Sequence, residues 1–327
     1  MCLEDYRKLA KVLETPPMFV DVLPLLVKPD EVDVLLRLSE KDLSVPELSR
    51  LLGLSQDISE MRINSLFLRG FIKKSRGIEA RYSLKRFHDI VGRYLGEART
   101  DAFGKYVAAL ANYRIEERVK QAKADPYPKA KVLPVPEAVM EPVTVVLSYE
   151  TAFSVLEKAN SISIRNCECR VTYGNCDKPL RTCLAIGDFS DDLVERGVAE
   201  EISIEEAKEI LKIANEHGLV LQALYTDWLK GEIFDLCSCC PCCCLYLRTY
   251  MNYGVKHHIA KSGLVAKVET EKCIGCGACL KRCIFQARKL ENEKSVVIEE
   301  NCHGCGLCTT TCPTGATKLS QLLKVEN

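Results

Sequence analysis

The chain contains 327 residues, with 45 Lys or Arg and 45 Asp or Glu, so its formal net charge is zero. Apolar residues make up 47% and charged residues 28% of the sequence, a balance that excludes wholesale disorder. The longest apolar runs, such as VTVVL at 143–147, are far shorter than the roughly 18 residues of a membrane span. No secretory signal is visible at the N-terminus, so we expect a cytoplasmic protein of two or three domains.

The first 120 residues contain a single cysteine and predict a helical module. Apolar periodicity indicates three helices and then a hairpin, at 31–39, 44–54, 56–70 and 71–84. Helix, helix, turn, helix and basic hairpin resemble a winged helix-turn-helix domain over residues 28–86. This resemblance implies a surface that binds either DNA or another protein.

The charge of this module is compatible with binding to DNA and with binding to another protein. Between residues 50 and 93 the sequence has ten Arg or Lys and four Asp or Glu, which is a net charge of plus six. Six basic residues on the third helix and hairpin are candidates for phosphate contacts: Arg62, Arg69, Lys73, Lys74, Arg76 and Arg81. A solvated face or a protein-docking helix carries the same charge, so DNA binding and docking both stay open.

The next segment predicts a helix, a linker and the start of a second domain. Residues 86–122 read as helical, with apolar side chains suited to packing or to a homodimer contact: Phe103, Tyr106, Val107, Leu110 and Val119. Five prolines between 121 and 142 predict an extended, semi-rigid linker. A strand is predicted at 143–148 and a helix from Tyr149 to Ala159.

Cysteine dominates the rest of the chain, because 18 of the 19 cysteines lie between positions 167 and 312. Without an export signal the thiols are expected to stay reduced, which points to metal rather than to disulfides. Ten of them form two upstream segments: Cys167, Cys169, Cys176 and Cys183, then Cys237, Cys239, Cys240, Cys242, Cys243 and Cys244. Free cysteines normally scatter through cores, so this density favours metal ligands.

The upstream spacing leaves three interpretations open. Adjacent cysteines in an extended segment point to opposite sides, so the second segment serves two clusters, or one cluster and a neighbouring site. One or two iron–sulfur clusters are the leading interpretation, a zinc site is the simpler one, and an unusual substrate-reducing cluster is the third. Four basic residues flank the first segment and would offset thiolate charge: Arg165, Arg170, Lys178 and Arg181.

Two C-terminal runs share the spacing C-x2-C-x2-C-x3-C, the pattern of bacterial ferredoxins with two [4Fe–4S] clusters. In that pattern the fourth cysteine of each run ligates the other cluster. We assign one cluster to Cys273, Cys276, Cys279 and Cys312. We assign the second cluster to Cys302, Cys305, Cys308 and Cys283. Paired zinc sites are the alternative, but zinc prefers two separated pairs of ligands.

Two local elements are predicted around these segments. A capping box of Ser203 and Glu206 opens a helix that stops at Gly218, between the two upstream cysteine segments. Residues 286–300 predict a hairpin between the two C-terminal runs, with Asn292 near its turn.

The C-terminal runs resemble the dicluster ferredoxin domain over about residues 264–320. Together with the upstream segments, residues 160–320 resemble multi-cluster iron–sulfur proteins of anaerobes that carry such a domain at the C-terminus. The resemblance implies cofactors more than an activity. It implies two [4Fe–4S] clusters and one or two additional [4Fe–4S] or unusual iron–sulfur clusters.

These expectations combine into an α+β fold with an N-terminal winged helix-turn-helix, a central α/β cysteine-rich domain and a C-terminal ferredoxin-like dicluster domain. The predicted boundaries are 1–120, a linker at 121–142, 143–263 and 264–327. The leading hypothesis is a cytoplasmic electron-transfer protein that serves a redox partner protein or an oxidoreductase complex.

Two alternatives are a redox- or iron-responsive DNA-binding regulator and a reductase with an unusual upstream cluster. The sequence has no phosphate loop and no dinucleotide fingerprint, so it identifies no catalytic residue.

Overall fold

The computed structural model describes residues 3–91, 101–139 and 151–321, and the strand predicted at 143–148 lies outside them. Helices and strands follow one another in an α+β arrangement, as predicted. The chain divides into two compact units, Met1–Glu117 with Glu195–Val198, and Arg118–Val194 with Ala199–Asn327. The four-segment division of the sequence stays a prediction.

The first unit begins with helices and continues into a hairpin. Its helices are α1 (Leu3–Val12), α2 (Leu23–Leu26), α3 (Pro29–Leu38), α4 (Val45–Leu52) and α5 (Gln56–Leu68), with a 3-10 turn at Pro17–Val22. Strands β1 (Ile72–Lys74) and β2 (Tyr82–Leu84) form the antiparallel hairpin. Residues 87–91 are helical, and α6 covers Asp101–Ala124.

Local signals and an aromatic cluster explain this unit. At the start of α4 the Glu47 carboxylate accepts a hydrogen bond of 2.9 Å from the Ser44 backbone N–H, which satisfies one of the free donors of the first turn. The rings of Phe19, Phe87 and Tyr113 meet with centroid distances of 5.5, 5.9 and 6.0 Å. These contacts join the first turns of the chain to the segment after the hairpin and to α6.

A seven-stranded sheet forms the centre of the second unit. Its strands are β3 (Ala130–Val132), β4 (Ile162–Asn166), β5 (Arg181–Ile186), β6 (Glu200–Glu201), β7 (Val220–Asp227), β8 (Glu232–Cys239) and β9 (Ile259–Ala260). They lie in the order β6-β4-β5-β8-β7-β3-β9, and all neighbours are antiparallel except β3 and β9.

The segment predicted as a linker contributes β3 to this sheet. Only Ala130–Val132 of this segment form a strand, which is hydrogen-bonded to β7 on one side and to β9 on the other. Residues 121–124 belong instead to the end of α6, and Pro136–Ala138 form a 3-10 turn.

Five helices accompany the sheet: α7 (Ala152–Lys158), α8 (Glu168–Tyr173), α9 (Gly187–Glu195), α10 (Ile204–Glu216) and α11 (Leu245–Met251). Leu156 of α7 and Leu211 of α10 are buried in one apolar core with Leu184 and Leu236 of the sheet. Helix α10 starts at the predicted capping box of Ser203 and ends before Gly218. No helix among the described residues combines the length and the apolar character needed to cross a membrane.

The C-terminal part of the second unit contains two short antiparallel pairs, β10 (Leu264–Val268) with β13 (Thr317–Gln321) and β11 (Arg288–Glu291) with β12 (Lys294–Val297). The hairpin predicted at 286–300 is confirmed. Its turn residues Asn292 and Glu293 both have positive φ, 47° and 59°, which is typical of a tight hairpin turn. Two short helices complete this part, α12 (Ala278–Arg282) and α13 (Leu307–Thr310).

One buried ion pair crosses the sheet. The Arg165 guanidinium on β4 donates to the Asp235 carboxylate on β8, and only 1% of the Asp235 side chain is exposed. Burial raises the pKa of Asp235, and the positive charge of Arg165 opposes that rise. The pair therefore depends on both partners, because either charge alone would lie in an apolar environment.

Replacing Asp235 by Ala should destabilise the second unit by about 3–5 kcal/mol, since it leaves the Arg165 charge buried and unpaired. Glu200→Ala, which removes the exposed partner of Arg181, is the matched control and should cost less than about 1 kcal/mol. Urea unfolding can be followed by fluorescence of Trp228, the one tryptophan of the chain, which packs against the sheet core. Equal midpoints for the two variants would contradict this expectation.

Candidate metal centres

Eight cysteines line two cavities in the C-terminal part of the second unit. The first cavity is lined by Cys273, Cys276, Cys279 and Cys312. The second cavity is lined by Cys283, Cys302, Cys305 and Cys308. The fourth cysteine of each run thus lines the cavity of the other run, which is the grouping expected from the sequence. The role of these residues as ligands stays a prediction.

The two cysteine runs fold in the same way. Each run is preceded by a 3-10 turn, at Thr270–Lys272 and at Glu299–Asn301, and each leads into a short helix, α12 or α13. Two glycines of each loop have positive φ, which L side chains rarely adopt: Gly275, Gly277, Gly304 and Gly306.

Close backbone approach explains why two of these positions need glycine. A Cβ atom at Gly275 would lie 2.2 Å from the Glu293 carbonyl oxygen of the β11–β12 turn. A Cβ atom at Gly304 would lie 2.2 Å from Ser262 Oγ. The cysteine loops are therefore packed directly against neighbouring chain segments, and this packing sets the shape of both cavities.

Several hydrogen bonds end on the sulfur atoms. The Ser295 N–H lies 3.4 Å from Cys273 Sγ, and the Ala287 N–H lies 3.4 Å from Cys283 Sγ. Backbone N–H groups of Ser295 and Gly275 lower the pKa of the Cys273 thiol, because they stabilise its charged form. Donors of this kind prepare a thiolate for metal binding and adjust the potential of a bound cluster.

Arg288 connects the two cavities. Its side chain is 8% exposed, and its Nη2 atom donates to Cys308 Sγ of the second cavity over 2.9 Å. Its Nη1 atom lies 3.4 Å from Ser295 Oγ, which also accepts a hydrogen bond from the Cys279 thiol of the first cavity at 3.2 Å. The β11–β12 hairpin therefore contributes a polar side chain to each cavity, and it places the positive charge of Arg288 beside Cys308 Sγ.

The ten upstream cysteines separate into two groups. The four-thiol group consists of Cys176, Cys240, Cys242 and Cys243, whose sulfur atoms all lie within 4.8 Å of one another. The six-thiol group consists of the remaining thiols, Cys167, Cys169, Cys183, Cys237, Cys239 and Cys244. Cys239 and Cys240 are adjacent in the chain, as are Cys243 and Cys244, yet each pair is divided between the two groups.

The sheet and two helix N-termini position the six-thiol group. Cys183 on β5 lies opposite Cys237 on β8, and Cys239 follows two residues later on the same face of β8. Cys167 precedes α8, and Cys244 precedes α11.

In the side-chain interactions that shift their pKa values, the thiols of this group form a closed ring, in the order 167, 183, 237, 239, 244, 169 and back to 167. The ring brings together cysteines from both upstream segments.

Four members of the six-thiol group are buried. The pKa lies above its usual range for the thiols of five members: Cys167, Cys183, Cys237, Cys239 and Cys244. Hydrogen bonds with Cys169 and Cys183, together with burial, raise the pKa of the Cys167 thiol far above its usual range. The hydrogen bond with Cys169 likewise raises the pKa of Cys244, and burial adds to that rise. Six neighbouring thiolates would repel one another without a cation among them, so this donor set fits a metal centre.

Two of the four predicted flanking basic residues lie inside the protein beside the six-thiol group. Arg170 is 2% exposed and donates to the Ser238 carbonyl over 2.9 Å and to Thr182 Oγ1. Arg165 is buried next to Cys183 and pairs with Asp235. The side chains of Lys178 and Arg181 form exposed interactions, with the His217 carbonyl and with Glu200.

Sequence reasoning did not single out Arg288 or Gln222 as site residues. Gln222 on β7 lies opposite Cys237, is fully buried, and places its Nε2 atom 4.0 Å from Cys244 Sγ. One signal was available for Arg288, because it is a lone arginine that opens the hairpin between two cysteine runs. No comparable signal marks Gln222, whose position depends on the pairing of β7 with β8.

One apolar core contains thiols of both the six-thiol group and the second cavity. Cys239 and Cys244 belong to it, together with Cys283, Cys305 and Leu307. The six-thiol group and the second cavity therefore border the same apolar core.

The basic residues predicted to contact phosphate are mostly ion-paired within the first unit. Four of the six have carboxylate partners there: Arg62 with Asp30, Arg69 with Glu31, Lys74 with Glu195, and Arg81 with Glu47. The other two, Lys73 and Arg76, are exposed. Neighbouring carboxylates weaken the positive field that a phosphate backbone would meet.

Comparison with known protein families matches residues 266–319 to the 4Fe-4S dicluster domain. The matched residues include all eight cysteines that line the two cavities. A search of curated proteins finds no match to the chain. The C-terminal part of this protein is therefore a 4Fe-4S dicluster domain, which implies that it binds iron–sulfur clusters.

Gly275→Ala should remove iron from the first cavity, because the added Cβ meets the Glu293 carbonyl at 2.2 Å. Gly277→Ala is the matched control, since Gly277 also has positive φ but has open space around it. Iron per chain after anaerobic purification should fall by about four atoms in Gly275→Ala and much less in Gly277→Ala. The same iron content in both variants would show that the close approach is unimportant.

Proposed function

We propose that this protein transfers electrons through iron–sulfur clusters, with two [4Fe–4S] clusters in the dicluster domain and a further cluster at the six-thiol group. The observation that carries the proposal is the pair of cavities that exchange their fourth cysteine within the matched domain. An iron–sulfur cluster supplies reversible one-electron chemistry when it is bound.

In this proposal the first cavity uses Cys273, Cys276, Cys279 and Cys312 as ligands, and the second uses Cys302, Cys305, Cys308 and Cys283. The chain between Cys279 and Cys283 belongs to both sites, because it starts at one cavity and ends at the other. The same holds for the chain between Cys308 and Cys312. This double attachment holds the two sites at a fixed separation.

The first cavity is the proposed contact point for the redox partner protein. Cys276 is exposed, and the side chain of the neighbouring Ile274 is 66% exposed. An exposed apolar side chain beside a redox centre suits a transient partner, which must bind close enough for electron transfer and then leave.

From the second cavity the proposed path continues to the six-thiol group. The apolar core that contains Leu307 includes cysteines of both sites, so the path passes through apolar packing. Buried Arg288, Arg170 and Arg165 lie along this path and would balance the negative charge of the thiolates.

Burial favours a relay over the reductase alternative. Four members of the six-thiol group are at most 6% exposed: Cys167, Cys183, Cys239 and Cys244. A substrate-reducing site needs an open approach for the substrate, whereas electron transfer requires none. We therefore assign electron storage or relay, rather than substrate reduction, to this group.

For the first unit we propose protein docking within an oxidoreductase system rather than DNA binding. Its helices and hairpin follow the order expected of a winged helix-turn-helix domain, while four of the six candidate phosphate contacts are already ion-paired. We also place the protein in the reducing cytoplasm of an anaerobe, because the exposed thiol of Cys276 and half-buried thiols such as Cys242 would otherwise oxidise.

Cys276→Ala should reduce the iron content of anaerobically purified protein by about four atoms per chain. The reduced variant should also lose the magnetic interaction between two neighbouring clusters in its electron paramagnetic resonance spectrum. Cys2→Ala alters the one cysteine that belongs neither to the two cavities nor to the two upstream groups. It should leave both properties unchanged. Unaltered iron in Cys276→Ala would remove that residue from the ligand assignment.

The full-length protein should not retard a pool of random-sequence DNA duplexes at moderate salt, because most of its candidate phosphate contacts are paired. Electrophoretic mobility at two salt concentrations measures this. A complex that weakens with salt and disappears in a Lys73→Glu, Arg76→Glu double variant would instead support the DNA-binding regulator.

A further inference from the structure

The four-thiol group differs in geometry from the other cysteine sites. Cys176 comes from the loop after α8, while Cys240, Cys242 and Cys243 come from the turn after β8. The sulfur of Cys176 lies 3.7 Å from that of Cys240 and 3.9 Å from that of Cys243. The sulfurs of Cys242 and Cys243 are 3.8 Å apart.

These separations match four ligands of one ion. With zinc–sulfur bonds of 2.3 Å, the edges of a tetrahedron of sulfur atoms measure about 3.8 Å. In a cube each thiolate binds a different iron, so the body of the cluster separates the sulfurs more widely.

The other cysteine sites provide an internal comparison. Among the described residues, the four-thiol group is the one set of three or more Cys, His, Asp or Glu ligand atoms that all lie within 4.8 Å of one another. The eight cysteines of the dicluster domain include no such set, although their sequence spacing is that of cube ligands. The same chain thus has wide sites where cubes are expected and one narrow site.

The four-thiol group is buried on one side, at Cys240 and Cys243, while Cys176 and Cys242 are half-buried. Cys240 and Cys243 are 2% and 0% exposed, and they pack with Ala214 and Leu219 in one apolar cluster. The turn is held by a hydrogen bond from the Cys244 N–H to the Cys240 carbonyl at 3.1 Å. Asn175 Nδ2, next to Cys176, donates to the Cys242 carbonyl over 2.9 Å, which fastens the loop to the turn.

We propose that Cys176, Cys240, Cys242 and Cys243 bind a single tetrahedral metal ion, zinc or iron, instead of an iron–sulfur cube. Four protein thiolates fill a tetrahedral shell and leave no open position, which is the arrangement of a structural site. The ion joins the loop after α8 to the turn after β8.

The experiment uses full-length protein purified without oxygen, and it measures zinc and iron per chain by mass spectrometry. Cys242→Ser changes the four-thiol group at a half-buried position, and Cys237→Ser is the matched control in the six-thiol group, also half-buried. Cys242→Ser should lose one metal atom per chain and keep its cluster iron. Cys237→Ser should keep that atom.

X-ray absorption at the zinc edge of the wild-type protein should show four sulfurs at about 2.3 Å and no neighbouring metal. If the ion is iron, the oxidised protein should instead give the high-spin resonance of an isolated ferric ion, which disappears in Cys242→Ser. The wild-type spectra decide the question even if the variants fail to fold.

Loss of about four irons from Cys242→Ser, or a wild-type protein without any isolated ion, would overturn the single-ion site. This outcome is independent of the proposed electron transfer, which is tested by the iron and the spectra of Cys276→Ala. A result that overturns the single-ion site therefore does not overturn the proposed electron transfer, and the reverse also holds.

Discussion

Buried sulfur needs positive charge close by, and this requirement organises the second unit. Eighteen cysteines lie in a fold that keeps most of them away from water, where a thiolate is unstable without a cation. The protein supplies part of that charge itself, through arginines that are buried among the sulfur atoms. Arg288 contacts the second cavity, and Arg170 and Arg165 lie beside the six-thiol group. Metal supplies the rest in the function we propose.

The same requirement explains why backbone and side-chain donors are directed at sulfur. The β11–β12 hairpin is the clearest example, because one short element donates to Cys273 through Ser295 and to Cys308 through Arg288. A hairpin is stiff enough to keep both contacts at once, and its tight turn brings the Glu293 carbonyl against Gly275. The cavities are therefore shaped from outside the cysteine loops as much as from within them. Such outer contacts adjust the properties of a metal centre.

Local sequence patterns predicted the elements of this fold well, because each depends on neighbouring residues. The caps at Ser44 and Ser203 and the turn at Asn292 all involve contacts within a few positions of the chain. The C-x2-C-x2-C-x3-C spacing is equally local, and it identified the dicluster domain. The ion pairs of the basic residues were beyond sequence reasoning. Arg69 and its partner Glu31 are 38 positions apart, and only the packing of α3 against α5 joins them.

The sequence by itself determined that this chain carries cysteines in numbers and spacings suited to iron–sulfur clusters, because those spacings are short-range. Only the tertiary structure decided how the ten upstream thiols divide. Strand pairing places Cys183 opposite Cys237, and the turn after β8 sends adjacent cysteines to opposite sides. The resulting groups of six and four thiols each contain cysteines from both segments of the sequence, because that pairing brings the two segments together. Cys183 and Cys237 are 54 positions apart and Cys176 and Cys240 are 64 apart, so short-range spacing could not predict that they lie close together.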